Sequence, residues 1–486
     1  MGKRRVFFYF ILFITQVNSQ PCSEYIQHKN NVKGNALICP KAMNEDLREL
    51  YQNILKTHPN PFIYCSKEEL DSAYSVAQNA VLTSKSVLDF SLILAGFIKN
   101  IRDSHTYFNP RDILVLSRNK SKSIPFYLTK IDSRFYMSQA FNNCIPVGAE
   151  ILEVGTMTID SLFNLTMKFS PKEAYTESAR EEITTKMMGL VFNVQNNSPE
   201  HEVQFKYVNR LGDTLLTKVG RIRSKKLFKN ETWYPSKELE YEFFNDIAYL
   251  RVYSFESKNE KKFKKNIDRF FNIVATRNID SVIIDVRENR GGFILLLEHL
   301  LSYINVNEQT YDLNYSYKRS DLDRFESLSR LKKIDFIKKA KRVYPRGMIS
   351  KEYDFYLSPK GTVKTILYKK KLANSSNYIF RGNCSLYING LSMSASVLLA
   401  SWFKENNRGE IIGTPCFGSL NATHGNSATI FLRNSGLPIS ISTLKLTPNN
   451  FMKSKWGDFH IDKKITLSLK ELELGVDPFT LDLIKD

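Results

Sequence analysis

The chain has 486 residues, of which 42% are hydrophobic and 24% charged, values typical of a globular protein with a sizeable core. Its formal net charge of +19 favours acidic partners and is compatible with contact at an anionic membrane surface. The basic residues are spread along the chain without a recognised binding motif, so we expect no nucleic-acid partner.

The amino terminus has the pattern of a secretory signal peptide at residues 1–19. Lys3, Arg4 and Arg5 precede an apolar run, and small residues up to Ser19 offer a cleavage site. The run is short for a membrane span, so we expect a secreted or periplasmic (extracytoplasmic) protein after cleavage near Ser19. Export permits disulfides, although spacing does not determine their pairing. The cysteines lack a metal-binding spacing, so we predict no metal and no cofactor: Cys22, Cys39, Cys65, Cys144, Cys384 and Cys416.

The first part of the exported chain has helical patterns. Two capping boxes, Ser66 with Glu69 and Ser86 with Asp89, predict the starts of two helices. The second of these helices is apolar and leads directly into the polar cluster Asp103-Ser104-His105-Thr106. Such a polar cluster at the end of an apolar helix is unusual for packing alone and indicates a functional segment.

Beyond the helical region the pattern changes to short β-like runs, interrupted by a helical stretch near residues 177–190. A strand at 247–253, a helix near 262–274 and a buried strand at 281–286 then predict a parallel crossover unit. The second of these strands leads to Gly291-Gly292, where the backbone can approach a ligand closely.

Residues 386–400 predict a strand, a turn at Asn389-Gly390 and a helix from about Ala395. A serine at such a corner can present its hydroxyl above the sheet, while amides at the helix start face a developing negative charge. Three serines lie here: Ser392, Ser394 and Ser396. The alternative interpretation is that Ser392 only caps the helix and that the small residues allow close packing.

The segments 103–106, 285–292 and 389–396 occur in the order of the motifs of the C-terminal processing, or tail-specific, serine peptidases, and the chain resembles that family over most of residues 40–480. The family includes the tricorn core and the interphotoreceptor retinoid-binding protein. The resemblance implies an α/β fold with a crotonase/ClpP-like core at 236–486. It also implies a helical region at 20–110 and a small PDZ-like, mostly β module at 111–235. The basic run near 318–360 is interpreted as a helical insertion in the core.

The same resemblance implies Ser394 as the nucleophile, with Gly291 or Gly292 and Ala395 forming the oxyanion hole. Ser419 stands where processing peptidases have the lysine base. The tricorn arrangement, a histidine base preceded by a serine, points to His105 with Ser104. Two further residues are candidates: His424, a rival base on the segment that would have held the lysine, and Glu473, a late glutamate that would orient the base.

Two hypotheses follow. The first is a secreted serine endopeptidase that hydrolyses polypeptides through an acyl-enzyme on Ser394, with a histidine as base. The second is a catalytically inactive member of the family that binds peptides or a hydrophobic ligand, as the missing lysine at Ser419 suggests.

Overall fold

The structure is a computed structural model that describes residues 36–108, 122–139, 144–196, 200–223, 237–307, 310–322, 333–335, 338, 354–374, 378–419, 422–448 and 459–479. The predicted signal peptide, the domain limits near 110 and 235, and most of the basic insertion lie outside these residues. Within them, no helix is both long enough and apolar enough to cross a membrane.

Both predicted capping boxes are confirmed, since Ser66 and Ser86 cap their helices reciprocally with Glu69 and Asp89. The helices are α1 (Pro40–Thr57), α2 (Lys67–Val81), α3 (Val87–Ile98), α4 (Ile159–Phe169), α5 (Glu177–Gln195), α6 (Glu260–Thr276), α7 (Ile294–Leu301), α8 (Ala395–Glu405) and α9 (Leu469–Leu474).

The strands of the described residues form five sheets. They are β1 (Lys122–Ser123), β2 (Tyr127–Ile131), β3 (Arg134–Gln139), β4 (Glu150–Val154), β5 (Met157–Thr158), β6 (Glu202–Val208), β7 (Thr214–Gly220), β8 (Ile222–Arg223), β9 (Leu239–Phe244), β10 (Ile247–Val252), β11 (Ser281–Asp285), β12 (Thr310–Lys318), β13 (Val363–Lys371), β14 (Asn383–Ile388), β15 (Ile411–Gly413), β16 (Thr423–Gly425), β17 (Ala428–Phe431), β18 (Pro438–Ile441), β19 (Leu444–Pro448) and β20 (Lys463–Lys464).

A sheet in the order β20-β15-β14-β11-β10-β9 forms the centre of the core. All its neighbours pair in parallel except β9 and β10. The predicted crossover is confirmed, because β10 and β11 pair in parallel on either side of α6. Parallel strands that are covered on both faces are apolar throughout, as the adjacent buried residues Ile283 and Ile284 of β11 illustrate. The parallel arrangement also brings the carboxyl ends of β11 and β14 together.

The segment predicted as a mostly β module contains an antiparallel sheet in the order β2-β3-β4-β6-β7, with β5 paired to β4. The predicted helical interruption is α5, which packs Phe192 into the same core as Phe126 and Phe205. The PDZ-like character of this module stays a prediction.

The amino-terminal helices pack against the hairpin of β17 and β18 near the end of the chain. Leu47 on α1 shares a buried cluster with Leu437 and Ile439. The Asp46 carboxylate accepts hydrogen bonds from the backbone N–H groups of residues 434 and 435, at 2.9 and 2.7 Å. Tyr107 forms a β-bridge with Ser440. This packing brings the loop that follows α3 next to β16 and to Ser442, between β18 and β19.

Candidate active site

Ser394 lies at the corner between β14 and α8. It is the N-cap of α8, yet its side chain makes no capping hydrogen bond. Its backbone has φ 53° and ψ −113°, which is strained for a residue other than glycine. The residue is half-buried, and its hydroxyl has no hydrogen-bond partner in the described part of the chain. A serine held in this way presents an uncommitted hydroxyl above a parallel sheet.

The two neighbouring serines are committed to structural hydrogen bonds. The buried Ser392 hydroxyl donates to the Val286 carbonyl at 2.8 Å and accepts from the Asn389 N–H at 3.0 Å. The buried Ser396 hydroxyl donates to the Asn289 carbonyl at 2.9 Å. The alternative interpretation that Ser392 caps the helix is therefore wrong, because its hydroxyl binds the adjacent strand end instead.

Gly291 packs directly against the serine corner. A Cβ atom added to Gly291 would lie 2.6 Å from Ser394 Cβ and 2.8 Å from the Ala395 nitrogen, and its φ is +95°. The Gly291 N–H already donates to Asn289 Oδ1 at 2.8 Å. Among the hydrogen bonds of the described residues, none is donated by the N–H of Gly292 or Ala395. These two amides remain available for an oxyanion, a role that stays a prediction.

A buried carboxylate, Asp103, organises the predicted base region. One oxygen, Oδ2, accepts from His58 Nε2 at 3.0 Å, from Thr106 Oγ1 at 2.7 Å and from Ser442 Oγ at 2.5 Å. The other oxygen, Oδ1, accepts from the His105 backbone N–H at 2.9 Å. It also lies 3.5 Å from His105 Nδ1 on the imidazole ring. The loop after α3 thus holds the His105 backbone and ring beside one anion.

The donors and histidines around Asp103 keep it ionised. Burial alone would raise the pKa of Asp103, but the neighbouring His105 and His58 outweigh burial and hold this pKa well below its usual value. Burial likewise lowers the pKa of His105, yet the Asp103 and Glu173 carboxylates outweigh burial and raise this pKa above 6.5. A histidine with a stabilised imidazolium form is suited to accept a proton.

The two candidate bases have different surroundings. The His105 side chain is 25% exposed, and Nδ1 is its buried nitrogen, which leaves Nε2 as the nitrogen available to a substrate or nucleophile. The His424 side chain is fully buried, and neither ring nitrogen has a hydrogen-bond partner among the described residues. Burial lowers the pKa of His424 to about 3, so this imidazole is neutral at pH 7.

A further acidic residue, Glu173, lies in the segment before α5 and contacts the predicted Ser104-His105 pair. Its Oε2 accepts the Ser104 backbone N–H at 2.7 Å. Burial, reinforced by the charge of Asp103, raises the pKa of Glu173 to about 7. The sequence patterns assigned no catalytic role to Glu173 or His58. Asp103 was quoted in its motif without a role.

The described contacts do not join every predicted site residue. No hydrogen bond links Ser394 Oγ to His105 or His424 among these residues, so the choice of base stays a prediction. Ser419 is buried and forms a β-bridge with Ala422. Glu473 lies beside the β module, where its carboxylate is 3.6 Å from Arg210 Nε. No described contact connects Glu473 with His105, so nothing supports the predicted orienting role.

Comparison with known proteins gives matches at the level of family and fold. The family model described as Peptidase family S41 matches residues 246–453. No curated protein matches the sequence. A structure of mature CPAF complexed with lactacystin covers 92% of this chain and 98% of its own, with 14% identity and a TM-score of 0.65. A crystal structure of a serine-to-alanine mutant of CPAF covers 92% and 96%, with 15% identity and a TM-score of 0.66.

The two structural matches are only 14% and 15% identical to this chain in sequence, so they show the fold alone. They agree with the predicted α/β architecture, with its parallel core sheet, which is confirmed. The family match spans the strand–helix–strand unit, the glycine pair and the serine corner, all of which the motifs predicted. Residues 246–453 therefore match Peptidase family S41, and the predicted resemblance to the C-terminal processing serine peptidases is confirmed.

Proposed function

We propose that this protein is an active serine endopeptidase that cleaves polypeptides through an acyl-enzyme on Ser394. The observation that carries the proposal is the serine corner itself. Ser394 has a strained backbone and an uncommitted hydroxyl, whereas Ser392 and Ser396 are fixed by structural hydrogen bonds. A neutral serine hydroxyl is a weak nucleophile, so the mechanism also needs a base and oxyanion donors.

We assign the base to His105, oriented by Asp103. His105 Nε2 accepts the Ser394 proton as Oγ attacks the substrate carbonyl, and Asp103 stabilises the resulting imidazolium. The amides of Gly292 and Ala395 receive the oxyanion, His105 then protonates the leaving amine, and water hydrolyses the acyl-enzyme. Because catalytic hydrogen bonds are often completed only in the substrate complex, the missing Ser394–His105 contact is expected to form on binding.

The nucleophile is tested by Ser394→Ala, with Ser392→Ala and Ser396→Ala as matched controls. We expect Ser394→Ala to abolish cleavage of a labelled unstructured polypeptide and labelling by a fluorophosphonate, without changing the thermal transition. Both controls should retain labelling. Lactacystin, which is bound in a CPAF structure, serves as a second probe of Ser394. Equal activity in Ser394→Ala would overturn the assignment, and absence of labelling and cleavage in the wild type would favour the inactive, ligand-binding alternative.

The base is tested by comparing His105→Ala with His424→Ala. We expect His105→Ala to lower kcat by about 10³-fold or more, as removal of a triad member does. His424→Ala should retain most of its activity per folded molecule, because the His424 ring is enclosed and neutral. The reverse order of effects would transfer the role of base to His424.

We also propose that the protein acts outside the cytoplasm. The basic and apolar pattern at residues 1–19 supports export, and Cys39 is disulfide-bonded, which fits an oxidising compartment. Sequencing the amino terminus of the protein recovered from its native host should find a start near Gln20. An intact Met1 would contradict cleavage.

A further inference from the structure

Three potential metal ligands meet beside the predicted base. Asp103, His105 and Glu173 each offer a ligand atom, and these atoms lie within 4.8 Å of one another. They come from the loop after α3 and from the segment that precedes α5. The Ser104 N–H, which donates to Glu173 Oε2, ties the two segments together. Such a hydrogen bond also orients a carboxylate ligand.

Two polar atoms of these three residues are buried without a partner. His105 Nδ1 and Glu173 Oε1 have no hydrogen-bond partner among the described residues, and Glu173 is only 3% exposed. Leaving a buried polar atom unsatisfied costs roughly 1–3 kcal/mol. Both atoms belong to residues of the same small cluster, where a bound ion would supply a partner.

The spacing and the charge of the cluster suit a cation. His105 Nδ1 and Asp103 Oδ1 are 3.5 Å apart, which is too long for a hydrogen bond. Two ligands bound at 2.0–2.1 Å to a tetrahedral zinc ion are separated by about 3.3 Å. Two carboxylates in one buried cluster also repel each other unless a cation or a proton lies between them.

A neighbouring group of His58, Asp103 and His424 also has metal-like spacing, but it fits an ion less well. His58 Nδ1 accepts the Asn60 N–H at 3.1 Å, so the proton of the neutral ring lies on Nε2 and points to Asp103. Neither nitrogen of His58 then has a lone pair to offer. The His105 side chain, unlike those of His58 and His424, is partly exposed, so this cluster lies nearer to the solvent.

We propose that Asp103, His105 and Glu173 bind a divalent transition-metal ion, with Zn²⁺ the best match to one imidazole and two carboxylates, and that this ion inhibits the peptidase. A metal on His105 Nδ1 keeps the ring proton on Nε2, so Nε2 cannot accept the proton of Ser394. Inhibition rests on the proposed function, whereas metal binding does not.

Metal binding is tested on the full chain carrying Ser394→Ala, so that proteolysis plays no part. After treatment with a chelator, the protein is titrated with Co²⁺ followed by visible absorption and with Zn²⁺ followed by calorimetry. We expect one ion per chain and an affinity at least about 10-fold lower in Glu173→Gln, the loss typical of weakening a metal site. His424→Gln is the matched control and should bind as tightly as the parent.

The outcomes distinguish the possible failures. Absence of Co²⁺ uptake, equal affinity in Glu173→Gln, or loss of binding only in His424→Gln would overturn the site. Should Glu173→Gln fail to fold, Glu173→Asp keeps the charge with a shorter reach and is likewise expected to bind more weakly. Zn²⁺ should also inhibit the wild type reversibly, with recovery on chelation. Binding without inhibition would overturn the regulatory role alone, and a wild type that binds Zn²⁺ but never cleaves would instead contradict the proposed function.

Discussion

The serine corner and the Asp103 cluster are built in opposite ways. The corner is one continuous stretch at the end of a buried parallel strand, and its backbone and neighbouring hydroxyls are fixed by hydrogen bonds. The Asp103 cluster gathers side chains from the C-cap of α1, the loop after α3 and β16, and it contains ring nitrogens without partners. Packing and backbone geometry therefore define the nucleophile, whereas charge and protonation define the predicted base.

Because of this difference, we expect different kinds of substitution to inactivate the two regions. A change of charge should disable the Asp103 cluster while leaving the corner intact. A change of volume or of backbone conformation should disable the corner while leaving the cluster intact.

The largest effect is expected for Asp103→Asn. The amide cannot stabilise the His105 imidazolium, so kcat should fall by about 10³- to 10⁴-fold, as when the carboxylate of a serine peptidase triad is replaced. The raised pKa of His105 predicts that kcat/KM of the wild type rises with pH through a midpoint above 6.5. Any residual activity of Asp103→Asn should have a lower midpoint, and pH–rate profiles of both proteins measure this shift.

Ser442→Ala is the control for Asp103→Asn. It removes one donor to Asp103 Oδ2 and keeps the charge. We expect less than about a 10-fold loss of kcat, because Asp103 keeps its charge and its other donors, the His58 ring, the Thr106 hydroxyl and the His105 backbone N–H. An equal loss in both variants would mean that structural damage, rather than charge, explains the effect.

The next largest effect concerns stability in acid. The folded pKa of His424, about 3, lies below the ordinary value of 6.5, so its contribution to stability is complete above pH 6.5 and is lost as the pH falls towards 3. The full loss is on the order of 5 kcal/mol. His424→Leu should flatten this part of the stability curve relative to the wild type, as measured by denaturant unfolding from pH 7 to 4. An exposed-histidine variant, His201→Leu, should leave the curve unchanged.

The same contrast explains what the sequence could predict. The capping boxes, the crossover and the serine corner are local patterns, and the structure contains them where they were expected. The environment of His105 depends on Glu173, which is 68 residues away in the sequence, and on the docking of the helices onto the β17–β18 hairpin. No local pattern encodes such contacts. Glu473 illustrates this limit. Its position late in the chain suggested that it orients the base, but no described contact connects it with His105.

A moderate effect on catalysis is expected for Gly291→Ala. The new Cβ would press on Ser394 Cβ and the Ala395 nitrogen, and displacing these groups should lower kcat about 100-fold. Gly361→Ala is a matched control, since Gly361 has a similar φ of +92° with no atom within 4 Å of its added Cβ. The control should be destabilised by about 1 kcal/mol and should keep its full activity. Comparable activities in the two variants would contradict a tight contact at the corner.

The smallest effects are expected when the two structural serines, Ser396 and Ser392, are replaced. Their hydrogen bonds explain why the two losses of stability differ. Ser396→Ala removes one donor from the Asn289 carbonyl, which still accepts the Met393 N–H, so unfolding free energy should fall by about 1 kcal/mol. Ser392→Ala also leaves the Asn389 N–H without its acceptor, so we expect about 2 kcal/mol. Denaturant unfolding measures both values. Loss of fluorophosphonate labelling in either variant, with stability unchanged, would mean that the nucleophile is not Ser394 alone.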